Sequence, residues 1–207
     1  MRAAVEEAAN VGVPITAHAT SDRAIVAALD AGIRVIEHGR NAAPATLARM
    51  KREGAILVAK EWGRGLIDLQ LARLPEAERP PASRIESLMA EGRSRTAAAR
   101  AAGVEIAFGS DVYVDFGVSR GEAARLALGS FVEAGMTPLQ ALRAATSVAG
   151  RTVKGVNVGA LKPGSLADLI AVEGDPTESL SVLAQIRCVI VEGQIRTVAG
   201  ATCEATK

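Results

Sequence analysis

His18 and His38 are the only imidazoles of the chain, and each stands at the end of a short apolar, β-prone run, Pro14–Ala17 for the first and Ile33–Glu37 for the second. A carboxylate joins them later, where Asp111 follows the apolar stretch of GVEIAFGSD. Two neutral imidazoles and a carboxylate are ligand types that suit a divalent ion such as Zn²⁺. Alone, either histidine reads first as a satisfied polar residue, and Asp111 as a loop or helix-cap residue. The segment between the histidines changes that reading. Ala24, Ala27, Ala28 and Ala31 recur at helical spacing, so the pattern is strand, helix, strand. A right-handed crossover of that kind holds both rings on one rim, at the strand ends where parallel α/β proteins collect their chemistry. Glu37, one residue before His38, is expected by alternation to point away from that rim and reads as structural. Lys60 and Arg64 lie at and beyond the end of a third apolar run, AILVA. Either could meet a substrate carboxylate, and either could be a solvated charge.

The elements that must position these residues follow from the punctuation of the chain. Met1 to Asn10 reads as a helix, closed by Val11 and Gly12. Thr20 or Ser21 can cap the helix after His18, which ends near Gly32. Pro44 opens the next helix and Gly54 closes it. The stretch Glu61 to Ser83, with Gly63, Gly65 and three prolines, is expected to be irregular, either a lid or a solvated connection. Arg84 to Ala102 reads as a strong helix, VEIAFG as a fourth strand, and Gly121 to Ala134 as a further helix. Thr137-Pro138-Leu139-Gln140 is a capping box for a helix through Ala145. The last part changes character: LADLIAV and IRCVIVEGQIR are β segments, with Glu192-Gly193-Gln194 as a tight turn.

Bulk composition narrows the class. Apolar residues make up 49% of the 207 and aromatics 2%, so the core is aliphatic helix–sheet packing. A formal net charge of +1 gives no reason to expect nucleic acid or an anionic membrane as partner. No apolar run reaches the ~18 residues of a membrane span, and the first residues lack a signal-peptide core. Two cysteines, Cys188 and Cys203, form no framework, and reduced thiols in a cytoplasmic protein are the expectation.

The runs HATSDRAIVAALDAGIRVIEHG, IAFGSD, MTPLQALRAATSVAG and VGALKPGSLADLIAVEGDP, in that order, resemble the metal-dependent amidohydrolase superfamily, and within it the imidazolonepropionase-like and Xaa-Pro dipeptidase-like branch. The resemblance covers nearly the whole chain, yet a full member is about twice as long. It implies an α/β fold, the C-terminal half of a (β/α)8 TIM-type barrel over residues 1–155 and part of a small β-sandwich over 156–198, with 199–207 a flexible tail. It implies one or two divalent ions, with Zn²⁺ expected, held by His18, His38 and Asp111. Asp111 would also serve as general base, and His38 or loop donors would face the oxyanion. The family's opening His-x-His and its bridging lysine have no counterpart here; Lys60 sits three strands too late to replace the latter. The histidine-glycine that often follows the aspartate in this branch is replaced by VYVDFGVSRG, where Tyr113 and Asp115 read first as solvent-exposed loop residues and otherwise as alternative substrate contacts.

The expected function is hydrolysis of amide-type C–N bonds in a small-molecule substrate, with esterase, lactonase or deaminase chemistry possible on the same site. The alternative is a catalytically incompetent half-barrel that holds metal weakly. Its unpaired strand edges would favour self-association or union with a missing N-terminal half.

Overall fold

The computed structural model describes residues 1–153 and 155–196. Four parallel strands, β1 (Ala17–Ala19), β2 (Val35–His38), β3 (Ile56–Ala59) and β4 (Glu105–Phe108), pair in chain order into an open sheet. The helices are α1 (Arg2–Asn10), α2 (Asp22–Asp30), α3 (Pro44–Arg52), α4 (Arg64–Arg73), α5 (Ala82–Ala101), α6 (Arg120–Glu133) and α7 (Pro138–Arg143). Sequential parallel order is the product of successive βα units. Both edges of the sheet, β1 and β4, are unpaired among the described residues.

Local sequence explains the helix ends. Ser21 caps α2 by accepting from the Ala24 N–H at 3.3 Å, and Ile25, Ala28 and Leu29 then fall on one buried stripe. Asp22, in the first turn of α2, accepts from the Ala43 N–H at 2.7 Å and so fixes the entry to α3. Arg49 of α3 reaches Asp30 at 2.7 Å and Glu53 at 2.6 Å, which ties the two helices together across their exposed edge. The capping box at Thr137 is present in both directions. The helix it opens does not stop at Ala145: a π turn, Ala144–Val148, and a 3₁₀ turn, Ala149–Thr152, carry it on against β4.

The sheet has two faces with different fates. The register aligns Ala17, Ile36, Leu57 and Ile106 in one row, which belongs to the aliphatic core under the helices. Ala59 and Phe108 share that face, and Phe108 meets Phe131 of α6 edge to face at 5.6 Å. The other row is His18, Glu37, Val58 and Ala107.

Residues 61–83 are not the irregular stretch the glycines and prolines suggest. They hold α4 and a 3₁₀ turn, Glu76–Glu78. Gly63 begins the helix because its missing side chain admits the Ser130 backbone and Glu133 of α6; Glu133 then accepts from the Arg64 N–H at 2.9 Å. The expected strand Pro14–Ala17 is also displaced: β1 is Ala17–Ala19, so His18 lies within the strand rather than beyond it.

A second, antiparallel sheet comprises β5 (Leu169–Val172), β6 (Ile186–Val191) and β7 (Gln194–Arg196). Its hairpin turns at Glu192 and Gly193, both with positive φ, as a two-residue connection matched to strand twist requires. No free cysteine occurs among the described residues, and the expectation of reduced thiols rests also on Cys203. Cys203 and the expected flexible tail 199–207 lie outside the described residues. No helix among those described is long and apolar enough to cross a membrane.

Candidate active site

The rim at the C-terminal ends of β1 and β2 brings the two histidines together. Their ring centroids are 4.4 Å apart with an interplanar angle of 70°. Register alone would not do this. His38 is paired with Ala19, whose side chain belongs to the buried face, so alternation assigns His38 to that face as well. The backbone breaks the alternation: His38 has φ 66 and Gly39 φ 59. A left-handed imidazole residue followed by a left-handed glycine re-aims the ring toward His18. Such conformations in a non-glycine residue cost of order 1–3 kcal/mol and concentrate at functional sites. Gly39 cannot carry a side chain without strain, because a Cβ would also collide with Leu57.

Glu37 is where the sequence reading fails. It is the register partner of His18, on the same face, and it interacts electrostatically with both His18 and Asp111. Burial raises its pKa above the ordinary glutamate value; Asp111 adds to the shift, while the Thr16 side chain and His18 oppose it. The signal that could have found it is the Glu-His pair itself, given a turn at His38. The His38 pKa is lowered, first by burial and then by His18, with Asp111 opposing. The neutral imidazole is therefore favoured, the form that offers a lone pair to a metal or a proton.

Asp111 sits beyond β4, also with positive φ (45), and its Oδ2 accepts from Lys60 Nζ at 2.8 Å. Lys60 is 13% exposed and its ammonium lies 5.0 Å from the Trp62 ring centroid and 5.3 Å from that of Tyr113. Lys60 thus belongs to the site, as a counter-ion of Asp111. Arg64 does not: at the start of α4 it pairs with Asp68 at 2.8 Å and Glu86 at 3.0 Å, and Asp68 raises its pKa. Asp115 is likewise turned away, held by Arg73 at 2.9 Å. Tyr113 is exposed beside Lys60.

Among the described residues no three His, Cys, Asp or Glu side chains converge to hold a metal ion. The two imidazoles are placed side by side, but the Asp111 carboxylate is engaged by Lys60 instead of closing on them. The donor types suit a divalent ion, and the set is incomplete among the described residues.

The profile of the Amidohydrolase family matches residues 1–196. The chain belongs to the amidohydrolase family. Members generally use a divalent metal. Ochratoxinase of Aspergillus niger is 32% identical over 193 residues, which are 91% of this chain and 38% of that protein. An uncharacterized protein of Mycobacterium tuberculosis is 33% identical over 206 residues, 94% of this chain and 50% of that one. The crystal structure of A. niger ochratoxinase superposes with a TM-score of 0.74 at 31% identity, over 94% of this chain and 44% of that chain. A Xaa-Pro dipeptidase with methionine in its active site gives 0.71 at 29%, over 94% and 47%. This amidohydrolase chain therefore spans about half the length of the relatives it matches, or less.

Proposed function

We propose that this chain carries one half of the active site of a metal-dependent hydrolase of amide-type C–N bonds, built as the C-terminal half of a (β/α)8 barrel. The observation that carries the reading is the re-aimed His38 ring against His18, with Glu37 and the Lys60–Asp111 pair around them. His18 and His38 would hold the ion, Zn²⁺ by ligand type. What such an ion supplies is a water acidic enough to attack at neutral pH. Asp111 would accept the proton of that water, and Lys60 orients its carboxylate. His38 or loop donors would face the oxyanion. X-Pro dipeptides are the substrates to which the Xaa-Pro dipeptidase similar to this chain points; N-acyl amino acids carry the same type of bond, and ester, lactone or deaminase chemistry is open to the same residues.

A second reading, that the 207 residues alone are catalytically incompetent, is favoured by the incomplete donor set and by the unpaired edges β1 and β4. A partner half-barrel, or a second copy, would cover those edges. One experiment addresses both readings. The chain is assayed with Zn²⁺ on N-acyl amino acids, X-Pro dipeptides and aryl esters, alone and together with a half-barrel bearing a His-x-His strand. Turnover is expected to be at least about 100-fold higher in the complemented protein, because a reacting group misplaced by about 1 Å costs roughly that factor. Asp111→Asn should remove the gain. Rescue that survives both Asp111→Asn and a His18→Ala/His38→Ala double substitution would end the hydrolase reading of these residues. Strong metal-dependent turnover by the chain alone would end the second reading.

A further inference from the structure

We propose that Asp22 and Asn41 are positioning residues: one from each loop beyond the rim, they latch the two loops together and hold His38 against His18. As a device for a reaction, the latch rests on the hydrolase reading above. The need for it arises at His38. The Gly39 N–H donates to the Glu37 carbonyl at 2.8 Å across that residue, which closes a three-residue turn. With His38 at φ 66 this is the γ-turn of positive φ, the rare and strained form. A strained turn persists only where its surroundings over-determine it. Its near end is fixed by strand pairing, since Glu37 stands opposite His18 and His38 opposite Ala19. Pairing ends there, and the far end needs another hold.

Strand register would continue with Gly39 opposite Thr20. The residue bonded to Thr20 is instead Asn41, two positions further on, whose amide donates to the Thr20 carbonyl at 3.3 Å. The turn consumes those two extra residues. Asn41 has φ 58, and asparagine accepts that left-handed backbone more readily than most side chains do. Two residues on, the Ala43 N–H donates to Asp22 Oδ1 at 2.7 Å. Ala43 is the N-cap of α3, and its methyl can accept nothing from the helix start. Asp22 supplies the missing acceptor from outside the helix. The Ala43 N–H, and after it the Thr46 side chain in the first turn of α3, hold the Asp22 carboxyl below its ordinary pKa against burial. Asp22 is equally part of the first loop, because it opens α2 directly after the Ser21 cap. The loop from Gly39 to Ala43 is thus pinned at two points to residues 20–22, which follow β1. Without the latch the loop can shed the turn, and His38 in an extended conformation follows the alternation of β2, away from His18.

His18 and His38 are the only histidines of the chain, so NMR of the 207-residue protein reads their ring protons directly. With ring centroids 4.4 Å apart, the metal-free wild type should show an inter-ring nuclear Overhauser effect. Asn41→Gly, at an exposed position, keeps the left-handed backbone and removes only the amide donor; alone it should weaken that ring contact. Combined with Asp22→Ala, it should abolish the contact while circular dichroism stays that of the wild type. The double variant should also bind Zn²⁺ at least about tenfold more weakly in calorimetry. Asp22→Asn in place of Asp22→Ala keeps an acceptor oxygen for Ala43 and should restore the contact. Thr137→Ala, which breaks the capping box of α7, controls for lost stability alone and should leave the rings as they are. The proposal is overturned if the contact survives in the double variant, if Asn41→Gly alone leaves it at full strength, if Thr137→Ala abolishes it too, or if Asp22→Asn fails to restore it. The ring contact is read without metal or turnover. Its loss with unchanged Zn²⁺ affinity removes the hydrolase reading of the pair and leaves the latch, while its persistence removes the latch alone.

Discussion

The two sheets of this molecule differ in how much of themselves they bury. In the parallel sheet Ile36, Leu57 and Ile106 are at most 6% exposed beneath the helices. In the antiparallel sheet no strand residue is fully buried, and Ile170 and Ile195 are 54% and 59% exposed. The parallel layer is covered on its helical face by elements of this chain. The antiparallel one presents apolar surface that the described residues do not cover. The contrast shows where stability resides, and it places the candidate site on the well-supported layer.

The largest effect expected from that contrast is at the core. Phe131→Ala removes a ring that is fully buried against Phe108 and should cost about 3–5 kcal/mol in chemical denaturation. A loss below about 1 kcal/mol would mean the parallel layer is far looser than its burial implies. Next is Gly39→Ala, which forces a side chain into a left-handed residue against Leu57; about 1–3 kcal/mol should be lost. The same substitution should disturb the His18–His38 pair, read as a change in the histidine ring resonances. Unaltered resonances would show that the turn does not aim the ring.

A smaller effect is expected at the junction of α2 and α3. The Ala43 N–H holds the Asp22 carboxyl below its ordinary pKa of 3.8, with Thr46 assisting and burial opposing. A depressed folded-state pKa contributes stability that is present above the unfolded value and lost as pH falls through the folded one. Asp22→Ala should therefore lower the melting temperature at pH 7, and the gap to the wild type should close on acidification below about pH 4. A gap independent of pH would assign the effect to packing rather than to the carboxylate. Smallest of all is Ile170→Ala, expected within about 0.5 kcal/mol of the wild type. A core-sized loss there would show that the antiparallel sheet is covered in solution, by a second copy or another segment.

Much of this arrangement was legible in the sequence. The strand–helix–strand unit around the histidines, the capping box at Thr137 and the turn at Glu192-Gly193 follow from short-range chemistry, and all three are present. The helix within Glu61–Ser83 was not legible. Gly63, Gly65 and the prolines argue against it locally, and it exists because Leu66 buries against α6 and Gly63 admits Ser130 and Glu133.

The site divides in the same way. Residue types and strand ends, which can be read along the chain, nominate His18, His38 and Asp111; the structure sets the two rings against each other and engages Asp111 with Lys60. Period-2 alternation, however, assigned Glu37 away from the rim, and nothing in the spacing paired Lys60 with Asp111. Those outcomes depend on the positive φ at His38 and on the adjacency of β3 and β4. Only the tertiary structure decides them, because a local backbone reversal and a lateral strand pairing bring together groups that sequence separation keeps apart.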